Sequence, residues 1–376
     1  MGKRGNSEGS IYQRQDGRWV ASGSYLAEDG TRKRKSWYGR TRSEAAEKLA
    51  SGLHALQQGI TPPNERLTVA AFLNRWLADT VEPHRRRSTY ESYESYVRLH
   101  LIPALGTVPV ARLKPQQVQA MIAAKQKSGL SPRTVQYIRA ILRAALQRAV
   151  QWNLAPRNVA ALTDSPRVSR AEVRPLTPTQ AKEFLAGIAG DRFEALYVLA
   201  ITTGLRQGEL LGLRWDAVEI DRAELRVERT REAVSGPARF GDPKSASSRR
   251  VVSLSQRALD ALKRHRVVQL EQRLAAGPSW SESNLVFTTY VGTPLNSSGT
   301  THRFQKKLAD LGLPKQRFHD LRHLNASLLL AAGASPRTVM GQLGHSQFNL
   351  TMTTYGHLVP EALKDAADRM DAILAS

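Results

Sequence analysis

Two histidines stand four residues apart in the stretch FHDLRHLNAS: His319 and His323, with Asp320 and Arg322 between them. On a helix that spacing puts both rings on one face. Two chemistries use such a pair. A zinc site of the HExxH type takes both imidazoles as ligands and a Glu directly after the first as general base. A phosphodiester site uses histidine and arginine as donors to oxygens that gather charge in the transition state. The metal reading can draw a third ligand from His345 or His357. It has Asp320, one methylene shorter, where Glu is needed, and it sets Arg322 beside a dication. A structural reading leaves His323 in the core, bonded to backbone.

Three further stretches bear on the choice: TTGLRQGELLGLRW (202–215), GDPKSASSRRVVSL (241–254) and LGHSQFNLTMTTYGHL (343–358). They supply Arg206, with Glu209 one turn on, then Lys244, His345 and Tyr355. An arginine after a buried helix can face a cleft or simply pair with an acid, and a lysine at a turn is usually just solvated. Taken together, Arg206, Lys244, His319, Arg322 and His345 are all cationic or proton-donating. Two arginines can clamp non-bridging phosphate oxygens bidentately, and a lysine or histidine can protonate a leaving oxygen. The chain has no cysteine and no GxSxG, so Tyr355 is the candidate nucleophile. Its phenol ordinarily titrates near 10, and neighbouring positive charge favours the phenolate. A covalent phosphotyrosine keeps the bond energy, so strands could be rejoined without ATP or metal.

The elements that must position these residues fall into three parts. Residues 1–63 read as a three-stranded sheet, near Ser10–Arg14, Trp19–Leu26 and Arg32–Tyr38, with turns at Asp16-Gly17 and Asp29-Gly30. A helix follows from Thr41, with Glu44 completing a capping box. The strands bear Arg14, Arg18, Arg32, Lys33, Arg34 and Lys35 among Tyr12, Trp19, Trp37 and Tyr38, a face that could enter a DNA groove or simply be solvated. TPPNE (61–65) reads as a linker. Residues 64–165 read as all-helical: Val69, Phe72, Leu73, Trp76 and Leu77 repeat at helical spacing, and Ser131-Pro132 caps a helix whose stripe is Val135, Ile138, Leu142, Ala145 and Ala149. Arg85, Arg86, Arg87, Arg133 and Arg139 are its candidate DNA contacts. After a linker at 163–176, residues 166–376 read as a mainly helical α+β domain. It opens with a capping box at Thr177–Gln180, has a buried helix Ala195–Thr203 ended by Gly204, and carries strands in ELRVER and RRVVSL. VPEALKDAADRMDAILAS reads as a final amphipathic helix.

Charge bounds the partner. The chain has 376 residues and a formal net charge of +22. The surplus is spread over all three parts, at +5, +9 and +8 (11−6, 15−6 and 29−21). An extended polyanion fits that distribution, DNA or RNA first. Anionic membrane is a poorer fit, because the charge is not gathered on one amphipathic helix. No apolar run approaches the roughly 20 residues of a membrane span, and the N-terminus lacks a signal peptide's apolar region. Absence of cysteine suits the cytoplasm.

The four stretches, in this order, resemble the tyrosine recombinases, in particular three-domain phage-type integrases. TTGLRQGELLGLRW looks like the family's first arginine box, PKSASSRRVVSL its hairpin lysine segment, HDLRH its His-x-x-Arg box, and LGHSQFNLTMTTYGHL its Leu-Gly-His box and tyrosine. The match covers about residues 170–360. Residues 67–160 are similar to a core-site-binding domain and the N-terminal sheet to an arm-site-binding domain. The resemblance implies that Arg206 and Arg322 clamp the scissile phosphate and that Lys244 protonates the leaving 5′ oxygen. His319 would assist proton transfer, His345 would bond a phosphate oxygen or the tyrosine, and Tyr355 would form a 3′-phosphotyrosine. Glu209 and Asp320 would orient these groups. No metal and no cofactor is implied. Relatives often carry Thr where this chain has Leu324. The expected function is integration or excision of a phage or mobile element at double-stranded attachment sites, core and arm, by a homotetramer in the bacterial cytoplasm at the nucleoid. The resemblance admits an excision factor or host DNA-bending protein as partners, and a C-terminal helix docked in its own chain or on a neighbour. A chromosome-dimer resolvase fits less well, having two domains. The alternative from another class is an architectural DNA-binding protein with an inactive catalytic domain.

Overall fold

The computed structural model describes residues 9–26, 31–57, 67–169, 174–232, 234, 236–242 and 249–344. The Asp29-Gly30 turn, the 61–65 linker, Lys244, His345, Tyr355, His357 and the C-terminal helix lie outside the described residues. The chain divides into two compact units, Met1–Ser169 and Arg170–Ser376.

The N-terminal part is an antiparallel sheet in the order β1 (Ser10–Gln13), β2 (Trp19–Leu26), β3 (Arg32–Gly39), followed by α1 (Arg42–Gln57). The β1–β2 turn has Gly17 at φ +76°, a conformation that favours glycine. Glu44 accepts from the Arg40 N–H and Thr41 Oγ1 from the Glu44 N–H, which satisfies donors at the start of α1. A strand's side chains alternate, and this corrects the single aromatic face expected from sequence. Trp19 and Trp37 pack with Ile11 and Ala21 against Ala45 and Leu49 of α1. Tyr12 and Tyr38 stay about half exposed, both opposite Val20 in register. Arg34, on the Tyr side, spans Ser10 and Ser22 with bonds of 3.0 and 2.8 Å. Lys35 instead lies over the Trp37 ring.

The helical part is α2 (Val69–Trp76), α3 (Glu82–His84), α4 (Arg87–Tyr96), α5 (Ile102–Leu105), α6 (Pro115–Lys127) and α7 (Pro132–Gln151). A π-helical turn joins α2 to α3 (Leu77–Val81) and another joins α4 to α5 (Val97–Leu101). Each ends two residues before a proline, Pro83 or Pro103. A proline has no N–H and crowds the carbonyl four residues back, so the preceding turn widens rather than breaks. Apolar residues of α2 and α7, among them Phe72, Leu73, Ile138 and Leu142, are fully buried in one core. Ser131 caps α7 by accepting from the Thr134 N–H.

The second unit has its own core. Its helices are α8 (Pro178–Gly187), α9 (Glu194–Thr203), α10 (Gln207–Leu211), α11 (Gln256–Ala276), α12 (Ser297–Asp310), α13 (Asp320–Ala331) and α14 (Pro336–Leu343). A sheet of β4 (Val218–Glu219), β5 (Glu224–Val227) and β8 (Arg250–Ser253) lies among them. β6 (Thr230–Arg231) and β7 (Phe240–Gly241), too short to show alternation, form a second ribbon that the sequence did not announce. The Thr177 capping box is present. α9 is buried almost all round, and Gly204 ends it at φ +65°. A Cβ there would lie 2.5 Å from Leu343 Cδ2 and 2.7 Å from Asn325 Oδ1. Glycine therefore serves both the left-handed backbone and the close approach of α13 and α14.

Candidate functional site

The site is built on the carbonyl end of α9. A helix C-terminus leaves carbonyls without intrahelical partners and carries partial negative charge. Polar side chains of α13 and α14 satisfy them. Asn325 donates to the Ile201 and Thr202 carbonyls at 2.8 and 3.0 Å, and Gln342 to Thr202 at 3.1 Å. Arg322, 3% exposed, donates to Gly204 at 2.8 Å and to the Leu343 carbonyl at 2.5 Å. These bonds bring α13 and α14 to the start of α10, where Arg206 stands.

Arg206 is half-buried. Its Nη1 bonds Glu209 at 2.7 Å, and its Nη2 lies 3.4 Å from the Gly344 carbonyl. Arg206 and Arg322 therefore meet adjacent carbonyls of one turn, directly before His345. Glu209 is buried and also accepts the Arg206 N–H at 3.0 Å. Burial alone would raise the Glu209 pKa; Arg250 and Arg206 overcome it and hold the carboxyl below its usual value. The site thus keeps an ionised carboxylate under its arginines. Sequence reasoning paired Glu209 with Arg206 and missed Arg250, whose guanidinium bonds Glu209 at 3.1 Å and the Gln342 carbonyl at 2.7 Å. The missed signal was strand alternation: Arg250 shares a side of β8 with the buried Val252.

His319 precedes α13 and is exposed, while Asp320 is buried. The two histidine rings meet edge to face, with centroids 5.3 Å apart. Desolvation by the packed protein, then His323, Arg322 and Arg317, push the His319 pKa down to about 4, even though part of the ring stays open to solvent. The His323 pKa is also lowered, first by desolvation. Asp320 points to Arg317, accepting from its Nη2 at 2.7 Å and its N–H at 2.8 Å. Its direct partner is thus Arg317, an arginine the sequence reading did not weigh. Burial opposes ionisation of Asp320, and the Arg317 bonds outweigh it, lowering its pKa. Leu324 packs into the domain core, so an apolar residue is well placed there. Among the described residues, no group of three or more His, Asp or Glu side chains is placed to hold a metal, and the groups nearest the histidine pair include two arginines.

The other predicted contacts are dispersed. Arg139 is turned inward, bonding Thr163 Oγ1 at 2.9 Å and its carbonyl at 2.5 Å, because that residue fixes the chain leaving the helical part. Arg87 is paired with Glu82 and Glu91, both at 3.1 Å. Arg85 and Arg86 are exposed, Arg133 bonds Gln136, and Arg14 lies 4.0 Å from Asp16. Arg18, just before β2, and Arg32 and Lys33, on β3, are exposed. No helix among the described residues is long and apolar enough to cross a membrane.

Known proteins resemble this chain in sequence and in fold. Residues 175–361 match the model of the phage integrase family, and residues 68–126 match the phage integrase N-terminal SAM-like domain. The chain is 32% identical to an integrase of Streptomyces ambofaciens, covering 99% of this chain and 97% of that protein. It is 29% identical to a XerC-like tyrosine recombinase of Caldanaerobacter subterraneus subsp. tengcongensis, over 92% of this chain and 93% of that one. The Tn1549 transposon integrase, solved in complex with a circular intermediate DNA, superposes with a TM-score of 0.69 at 22% identity, over 81% of this chain and 99% of its own. The chain belongs to the phage integrase family of tyrosine recombinases.

Proposed function

We propose that this protein is a site-specific DNA recombinase that integrates or excises a mobile element or phage genome through a 3′-phosphotyrosine. The observation that carries the chemistry is the convergence of Arg206 and Arg322 on adjacent carbonyls of the turn leading to His345. Two forks held this close suit the two non-bridging oxygens of one phosphodiester. The buried Glu209 keeps Arg206 oriented before DNA arrives, so little reorganisation is needed during reaction. The Tyr355 phenolate attacks phosphorus, the bond to the 5′ oxygen breaks, and Lys244 gives that oxygen its proton. His319, neutral when the site is empty, gains basicity beside an anionic phosphate, which fits it to proton transfer at a phosphate oxygen. His345 bonds the phosphate or the phenol. Rejoining reverses the steps with a new 5′ hydroxyl, so no cofactor or metal is consumed.

The three parts divide the DNA contacts. Residues 1–63 take arm sites, residues 64–165 take the core site and residues 166–376 do the chemistry. The basic surplus in each part supports this division. Double-stranded DNA is the partner, and the Tn1549 relative's DNA complex agrees. Exchange at two sites cuts four strands, which calls for four active sites and hence a homotetramer on DNA. An excision factor or host bending protein would set direction. The protein works where the bacterial chromosome is, in the cytoplasm.

The test is capture of the covalent complex. The protein is incubated in EDTA with sheared DNA of its host and element, stopped with SDS, and the DNA retained on protein is sequenced. A few discrete sites, absent with Tyr355→Phe, are expected. DNA binding with no adduct would favour an architectural role, and adducts dependent on added metal would contradict the mechanism.

A further inference from the structure

The Arg250 side chain is nearly as buried as that of Glu209, and although it stands in the segment PKSASSRRVVSL, no step of the chemistry above uses it. Its side chain is 7% exposed, against 32% for Arg206. Its Nε donates to the Gln342 carbonyl at 2.7 Å, its Nη2 to Glu209 Oε2 at 3.1 Å and its Nη1 to Glu209 Oε1 at 3.4 Å. Glu209 in turn holds Arg206 through the backbone N–H and Nη1, and Arg206 returns to the Gly344 carbonyl. The bonds close a ring: Arg250, Glu209, Arg206, Gly344 and, two residues back along the chain, Gln342. The ring joins β8, α10 and the end of α14.

We propose that Arg250 is a positioning residue for strand cleavage: it locks Arg206 and the turn entering His345 to β8, the strand that follows the Lys244 segment. The inference rests on the recombinase reading above. Arg250 acts through these partners: its three nitrogens meet Glu209 and the Gln342 carbonyl. Arginine is required, since one ammonium cannot serve a carboxylate and a carbonyl as a planar fork does. Without the lock, Glu209 loses its buried partner and the Arg206 fork can swing. A misplacement of about 1 Å is enough to slow chemistry on the order of 100-fold.

The experiment uses a DNA fragment that the wild-type protein captures covalently. Single-turnover adduct formation and DNA affinity are measured for the full chain and for Arg250→Lys, Arg250→Ala, Glu209→Gln and the Arg250→Lys/Glu209→Gln pair, alongside thermal melting. Arg250→Lys should bind DNA within about threefold of wild type, keep a cooperative melt, and form adduct on the order of 100-fold more slowly. The double variant should be no slower than the slower single, because both residues act through one contact. Added guanidinium ion should partly restore Arg250→Ala. Wild-type rates in Arg250→Lys would overturn the inference, as would slowing matched by an equal loss of DNA affinity or of folded protein. A wild-type protein that captures no DNA would overturn the recombinase reading, and the inference with it.

Discussion

Gly204 shows how much a single residue decides here. Its left-handed backbone and the 2.5 Å approach of Leu343 to any Cβ leave no room for a side chain. Gly204→Ala should destabilise the catalytic unit by about 1–3 kcal/mol, read as a lower melting temperature, and should also displace the Gly204 carbonyl that Arg322 bonds. Arg322→Lys keeps the charge and loses the fork. We expect adduct formation to fall by about 10²–10³-fold in a single-turnover assay, with DNA binding largely kept. A pH effect belongs to His265. Its ring lies between Trp215 and Phe287 and bonds the Val286 carbonyl at 2.7 Å. Burial, outweighing that bond, holds its folded pKa below the usual value of 6.5. The unfolded chain therefore takes up a proton that the folded chain refuses, and stability falls as pH drops from about 6.5 toward the folded pKa. Melting temperatures between pH 7.5 and 5.5 should decline, and less steeply for His265→Gln. Residue types made Arg206, His319 and Arg322 legible in the sequence, because each stands in a distinctive local pattern. Arg250 did not stand out, because Arg249 beside it is the same residue type, and only the alternation along β8, which sets Arg250 on the side of the buried Val252, separates the two.

At the scale of elements, periodicity and caps carried most of the fold. The stripe on α7 runs through Ile138, Leu142 and Leu146, all fully buried. Leu142→Ala should cost about 2–5 kcal/mol, visible as a lower urea midpoint for the helical part, with Ser131→Ala costing about 1 kcal/mol at the cap. Where elements are too short for a period, sequence was silent. β6 and β7 are two residues each and owe their pairing to the neighbouring chain rather than to their own pattern. The π turns were equally hidden. Pro83 and Pro103 would ordinarily read as breaks, and the surrounding core holds the helices continuous through them. On the N-terminal sheet, a list of basic and aromatic residues did not say which side each takes. Register did, sending Trp19 and Trp37 to α1 and leaving Tyr12 and Tyr38 out.

The whole molecule is a set of basic parts in series, and its net charge of +22 makes a prediction of its own. Neutralising many phosphates releases counterions, so the logarithm of DNA affinity should fall steeply and linearly with the logarithm of salt concentration. A flat response would contradict DNA as the partner. Deleting residues 1–63 should remove part of that slope and leave adduct formation at isolated core DNA. The measurement that tests the central claim most directly is the identity of the covalent bond. Protein trapped on DNA in EDTA would be digested with trypsin and nuclease, and the modified peptide sequenced by mass spectrometry. We predict a nucleotide joined through its 3′ phosphate to Tyr355, in the peptide spanning residues 338–364, with a free 5′ hydroxyl on the other strand end. A 5′ linkage, attachment to another residue, or cleavage that leaves no linkage and needs a metal would contradict the account.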